Sequence, residues 1–190
     1  MRKRLFFLSF VLTFINFFCS MSTQPVEKEA DQQNEEKLIY QTVMDSMFST
    51  YSPQTLVLLD STDMWDHIDS SWIKTEIPSI EGSIIAKFLE NGKSSVPLKP
   101  LISLNINTVF LSAGEFREIF TAGGWDAFYD RYPNSGGLMS LSRIALNSSE
   151  TQALLYVSNQ WHYLAGMGQL FYLNKHSAWK IEKILICWVS

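Results

Sequence analysis

The stretch from Gly137 to the C-terminus constrains the fold more than any other part of this chain. Four segments there, Leu138 to Leu146, Thr151 to Ser158, Gln169 to Asn174 and Trp179 to Val189, are rich in aliphatic and aromatic residues. Asn147 to Glu150 and Lys175-His176-Ser177 read as turns, and a connection bearing Gly166 and Gly168 joins the middle pair. Strand-length apolar runs with polar turns between them pair as consecutive antiparallel strands. Thr151 to Ser158 is apolar on both faces, so it is expected in the middle of the sheet.

Helical periodicity dominates upstream. Ile39, Val43 and Met47 recur every four residues, with Tyr40, Met44 and Phe48 beside them, predicting a helix from Glu35 to Ser49. Thr55 to Asp60 reads as a short buried strand. A second helix is expected from a Ser79 cap to Glu90, with Ile80, Ile84 and Phe88 on one face and Asn91-Gly92 as a left-handed stop. Leu101 to Leu111 reads as extended. Ser112 and Glu115 then form a capping box, and that helix runs to about Phe120 before Gly123-Gly124. Trp125, Phe128, Tyr129 and Tyr132 fall at i, i+3, i+4 and i+7, an aromatic helical face ended by Pro133. Helices first and strands last give an α+β fold: an antiparallel C-terminal β-meander with helices packed on one face.

The N-terminus reads as a leader. The basic MRKR precedes an apolar run from Leu5 to Phe18, the pattern of a secretory signal peptide and shorter than a bilayer span. The expected organisation is a signal peptide over 1–18, a disordered acidic tether over 19–36 and a single α+β domain over 37–190. Cys19 stands where a bacterial lipoprotein is acylated, although Phe18 replaces the usual small residue; cleavage after Ser22 is the alternative. The expected location is therefore extracytoplasmic: periplasmic, envelope-anchored or extracellular. Membrane attachment is expected only through a lipid on Cys19.

Charge excludes some partners. Without Arg2, Lys3 and Arg4, the 15 basic residues fall to 12 against 19 acidic, a net charge of −7. Nothing in this acidic chain resembles the clustered Lys and Arg that nucleic acid requires. The two cysteines, Cys19 and Cys187, form no CxxC pattern, so neither a zinc site nor an internal disulfide is expected.

The segment FYDRYPNSGGLMSLSRIALNSSETQALLYVSNQ resembles a group of uncharacterised bacterial exported proteins that share its Tyr-Pro, Gly, Ser-Arg, Asn and Thr-Gln-Ala-Leu pattern. The resemblance runs from about Val109 to the C-terminus. It implies a shared fold and export, and no particular reaction. Members often carry Cys-Gly and Leu-Cys-Gly in the next loop; here that loop reads QWHYLAGMGQ, so no cysteine role carries over.

Candidate site residues are few. Arg143, read on a strand, shares a face with Met139, Leu141 and Ala145; buried there, its charge requires a carboxylate or a bound anion. At an edge it reaches solvent instead. Trp161, His162 and Tyr163 are expected to line a pocket, with His162 as its polar handle, or simply to cap the sheet. DSTDMWDHID offers four Asp and His67, an oxygen-rich cluster that suits Ca²⁺ or Mg²⁺, or helix capping; no metal or cofactor is expected. The leading expectation is a non-catalytic binding or interaction module of the bacterial envelope. It would hold a small molecule or an envelope protein between the aromatic helix and the sheet. A secreted hydrolase using His162 or His67 with a nearby Ser or carboxylate is the alternative, and a purely structural envelope protein is a third.

Overall fold

The computed structural model describes residues 24–50, 52–63 and 68–190, with side-chain surroundings from residue 30 onward. The expected signal peptide, Cys19, Asp66 and His67 lie outside the described residues. The chain divides into two compact units, Met1–Glu35 and Glu36–Ser190. The second carries the sheet.

Helix α1 (Gln24–Met47) begins well before Glu35. Its N-terminal part falls in the stretch that composition marks as a slack spacer. Low apolar content argues against burial, but Glu, Gln, Lys and Ala are all strong helix formers. In the second unit, Ile39, Tyr40, Val43 and Met44 are buried, the stripe expected from their spacing.

Strand β1 (Thr55–Leu59) is followed by helices α2 (Ser70–Glu76) and α3 (Gly82–Asn91). The sequence reading missed α2. Its cap is Asp69, whose carboxylate accepts the Ser71 amide at 2.7 Å. Helix α3 buries Ile84 and Phe88 with Ile80 just before it, but its N-cap is Glu81, not Ser79. Gly92 does not form a left-handed stop: at φ −65°, ψ −16° it stays helical, and turns carry the chain through Lys93 and Ser94.

Strand β2 (Asn107–Leu111), helices α4 (Ala113–Ala122) and α5 (Gly124–Arg131), and strands β3 (Ser135–Leu141), β4 (Ala145–Leu146), β5 (Gln152–His162), β6 (Ala165–Lys175) and β7 (Trp179–Val189) complete the unit. The Ser112–Glu115 capping box opens α4 as expected. One sheet results, in the order β2-β1-β3-β5-β6-β7, with β4 pairing β5 beyond the end of β3. β1 runs parallel to β2 and β3, and every later pairing is antiparallel.

The α+β class and the C-terminal meander stand. Packing of the helices on one face does not. Alternate residues separate the two faces. Leu56, Leu58, Met139, Leu141, Leu155, Val157, Phe171 and Leu173 form a core with α1 and with Leu98 and Leu101. On the other face Leu154, Tyr156, Leu170, Tyr172 and Leu185 pack under α2 and α3, and Val57 and Leu138 under α4 and α5. A sheet whose inner strands are apolar on both faces needs cover on both. The early helix α1 supplies the cover that the sequence reading did not assign.

Candidate functional site

Three chain exits meet at one end of the sheet: the run leaving β1, the run leaving α3 and the run leaving β3. The first two are hydrogen-bonded together. Thr62 N donates to Val96 O at 2.8 Å, Val96 N to Thr62 Oγ1 at 2.9 Å, and Ser95 Oγ to Thr62 O at 2.6 Å. The third joins them through Asp63 N to Leu141 O at 2.9 Å and Asn91 Nδ2 to Ile144 O at 3.0 Å. Between these runs lies an open cleft of about 210 Å³. Its walls are Thr62, Asp63, Arg143 and the 91–95 turn.

Arg143 does not sit on a strand, as expected from its sequence neighbours. Strand β3 stops at Leu141 because Ser142 leaves the regular ladder. Its amide still reaches Tyr156 O at 2.9 Å, but the Tyr156 amide donates to Ser142 Oγ instead of a β3 carbonyl, also at 2.9 Å. The freed Ser142 carbonyl accepts the buried Tyr40 hydroxyl at 2.9 Å. This detour before β4 swings Arg143 off the core face. It is half-buried, and its Nη1 donates to Ser94 Oγ at 2.9 Å.

Two phenols sense the charges of this region. Tyr156, on the α2–α3 face, is pushed up to about 12, mainly by burial, with the Trp188 indole bond opposing and Asp63 adding a smaller rise. Tyr40, on α1 and the other face, is raised well above its ordinary range by burial and then by Glu36, while Arg143 opposes.

Trp161, His162 and Tyr163 do not join Arg143. The 160–168 stretch is not a loop: β5 and β6 run on and pair His162 with Ala165, leaving Tyr163-Leu164 as the turn. Arg143 follows the C-terminal end of β3. The hairpin tip lies by its start, where the Gly137 backbone abuts Gln160 and Trp161. Tyr129 Oη donates to Trp161 O at 2.8 Å, and the Tyr163 phenol rests on Gly124, whose φ of +62° admits no side chain without strain. The aromatic helix and the hairpin therefore touch where a concave site was expected between them. Tyr163 and Leu164 remain 65% and 84% exposed.

His162 is exposed and stacks edge-on to Tyr163, with ring centroids 5.4 Å apart. His176 lies in the β6–β7 turn, 3.3 Å from Glu182. Neither lines the cleft. Cys187 is a free, half-buried thiol pushed up to about 11 by burial, which keeps it protonated. The Asp-rich segment is split in role: Asp69 caps α2 and Asp63 enters the cleft. Among the described residues no group of three or more His, Cys, Asp or Glu side chains is placed to hold a metal, and no helix is long and apolar enough to cross a membrane.

The sequence pointed to Arg143 but not to its surroundings. Asn91, Lys93, Ser94 and Ser95 read as a helix stop and a polar loop, and only the tertiary hydrogen bonds turn them into a wall. Comparison with known proteins returns no matching family model, curated protein or solved structure.

Proposed function

We propose that this protein is a non-catalytic, exported binding module that takes a small polar molecule into the cleft beyond β1 and β3. One observation carries the reading. The Arg143 guanidinium faces an open cleft, and of its five N–H donors a single one is hydrogen-bonded among the described residues, to Ser94. Location supports it: ligands of sheets with parallel strands gather at the carboxyl ends, where successive connections part. Here β1 and β3 both end at the cleft. The chain leaving β1 passes through α2 and α3 on one face and then Leu98 and Leu101 on the other. His162 and His176 stand away from the cleft, so neither of them supports hydrolysis there.

Thermal-shift screening of small polar metabolites against the wild type and Arg143→Ala tests this reading. Ligands that stabilise the wild type and lose their effect in the variant are expected. Stabilisation indifferent to the substitution would contradict it.

The exported half of the proposal rests on MRKR, the apolar run after it and the resemblance to exported proteins. Mass spectrometry of the mature N-terminus tests it. A diacylated Cys19 supports a lipid-anchored envelope protein, a Thr23 start supports a freely exported one, and an intact Met1 on protein from the native cell contradicts export.

A further inference from the structure

The cleft carries both signs of charge. Asp63 stands in one wall and Arg143 and Lys93 in the others. The ion pairs closer than 4.0 Å among the described residues include Lys93 with Glu90, but none joins Asp63 to Arg143. Asp63 uses its amide to hold Leu141, so its backbone is fixed, yet its carboxylate has no hydrogen-bond partner among the described residues. Arg143 is fixed through Ser94 and keeps donors to spare. Asp63, which is exposed, and the half-buried Arg143 thus line one cleft without pairing within 4.0 Å, which leaves room for a molecule bearing the complementary pair. The volume, about 210 Å³, falls below the roughly 300 Å³ at which pockets for drug-sized ligands begin, so that molecule is small.

We infer that the cleft binds a small zwitterion, a free amino acid or a compound of the same chemistry, with its carboxylate on Arg143 and its ammonium on Asp63. The inference rests on the binding reading above and goes further by naming the ligand class. A guanidinium offers a carboxylate two parallel N–H donors, and Asp63 offers an ammonium two oxygens. A ligand with a carboxylate alone would leave Asp63 facing its negative charge. One with an amine alone would meet Arg143. Selectivity for the zwitterion therefore comes as much from repulsion as from attraction. Asn91, Ser94 and Ser95 supply neutral polar contacts for what remains of the ligand.

The test is calorimetric titration of the full mature chain with three sets of probes: free amino acids with small side chains, their N-acetyl derivatives, and the amines lacking the carboxylate. Wild type, Asp63→Asn, Arg143→Gln and Arg143→Lys are compared, each checked for a wild-type far-UV spectrum and melting temperature. The expected result is binding of at least one free amino acid and at least tenfold weaker binding of its N-acetyl and decarboxylated forms. Asp63→Asn should lose at least tenfold and Arg143→Gln should lose binding. Arg143→Lys, which keeps the charge without the fork, should fall between. If N-acetyl derivatives bind as well as the free amino acids and Asp63→Asn is neutral, the zwitterion inference fails while the binding reading survives as an anion site. If none of the three sets binds, the inference fails, and the metabolite screen alone then decides the broader reading.

Discussion

Ser142 is the residue on which the candidate site turns. It is 1% exposed, and its hydroxyl both accepts the Tyr156 amide and donates to Arg143 O at 2.9 Å. A side-chain oxygen thus replaces a ladder carbonyl, and the strand breaks without leaving a buried N–H unpaired. Ser142→Ala removes that acceptor. We expect a loss of about 1–3 kcal/mol in urea unfolding, the cost of one buried donor left unsatisfied, with ligand affinity falling as Arg143 loses its support. A variant as stable as the wild type would show that the break between β3 and β4 has another cause. Nothing local in Leu-Ser-Arg-Ile-Ala announces this detour. Alternation through Met139, Leu141, Arg143 and Ala145 reads as one strand, because a side-chain acceptor cannot be told from an ordinary serine without its partner strand.

At the scale of elements, local chemistry was legible and long-range pairing was not. The capping box of α4 is the clearest case. Glu115 N donates to Ser112 Oγ at 3.3 Å, and Ser112 N and Oγ donate to Glu115 Oε2 at 3.0 and 2.7 Å. The Ser112 hydroxyl and then its amide hold the Glu115 carboxyl below its ordinary pKa, with Arg131 helping slightly against some desolvation. A depressed folded-state pKa contributes stability above the unfolded value, about 4.3 for Glu. That contribution fades as the pH falls through the folded value. Ser112→Ala should cost about 1 kcal/mol at pH 7, as N-cap losses typically do, and the gap to the wild type should narrow below about pH 4. Urea titrations at several pH values would show it; a gap independent of pH would contradict the account. By contrast, the β5–β6 tip misled the sequence reading because Gly166 and Gly168 look like loop residues. Gly168 is instead a strand residue that leaves space for the Trp188 indole and the Tyr156 hydroxyl. Helix α2 went unread because it is a seven-residue helix, with too few turns to show a period.

Across the whole molecule, the C-terminal meander followed from apolar runs and turns, since antiparallel neighbours joined by short connections are also neighbours in space. The placement of β1 between β2 and β3 did not follow. Parallel strands meet through long crossovers, and no local signal records which strand a crossover returns to. That missing pairing hid the cleft, because its walls come from positions as far apart as Thr62, Ser94 and Arg143. The helix layer was misassigned for a related reason: periodicity shows which side of a helix is buried, but not which face of a sheet buries it.

Chemical-shift mapping on ¹⁵N-labelled protein, titrated with a ligand from the metabolite screen, is the most direct test of the cleft as the working site. The largest changes are expected to fall together on Thr62, Asp63, Asn91 to Ser95 and Arg143. Changes centred instead on Trp161 to Leu164 would move the site to the hairpin tip and contradict that expectation.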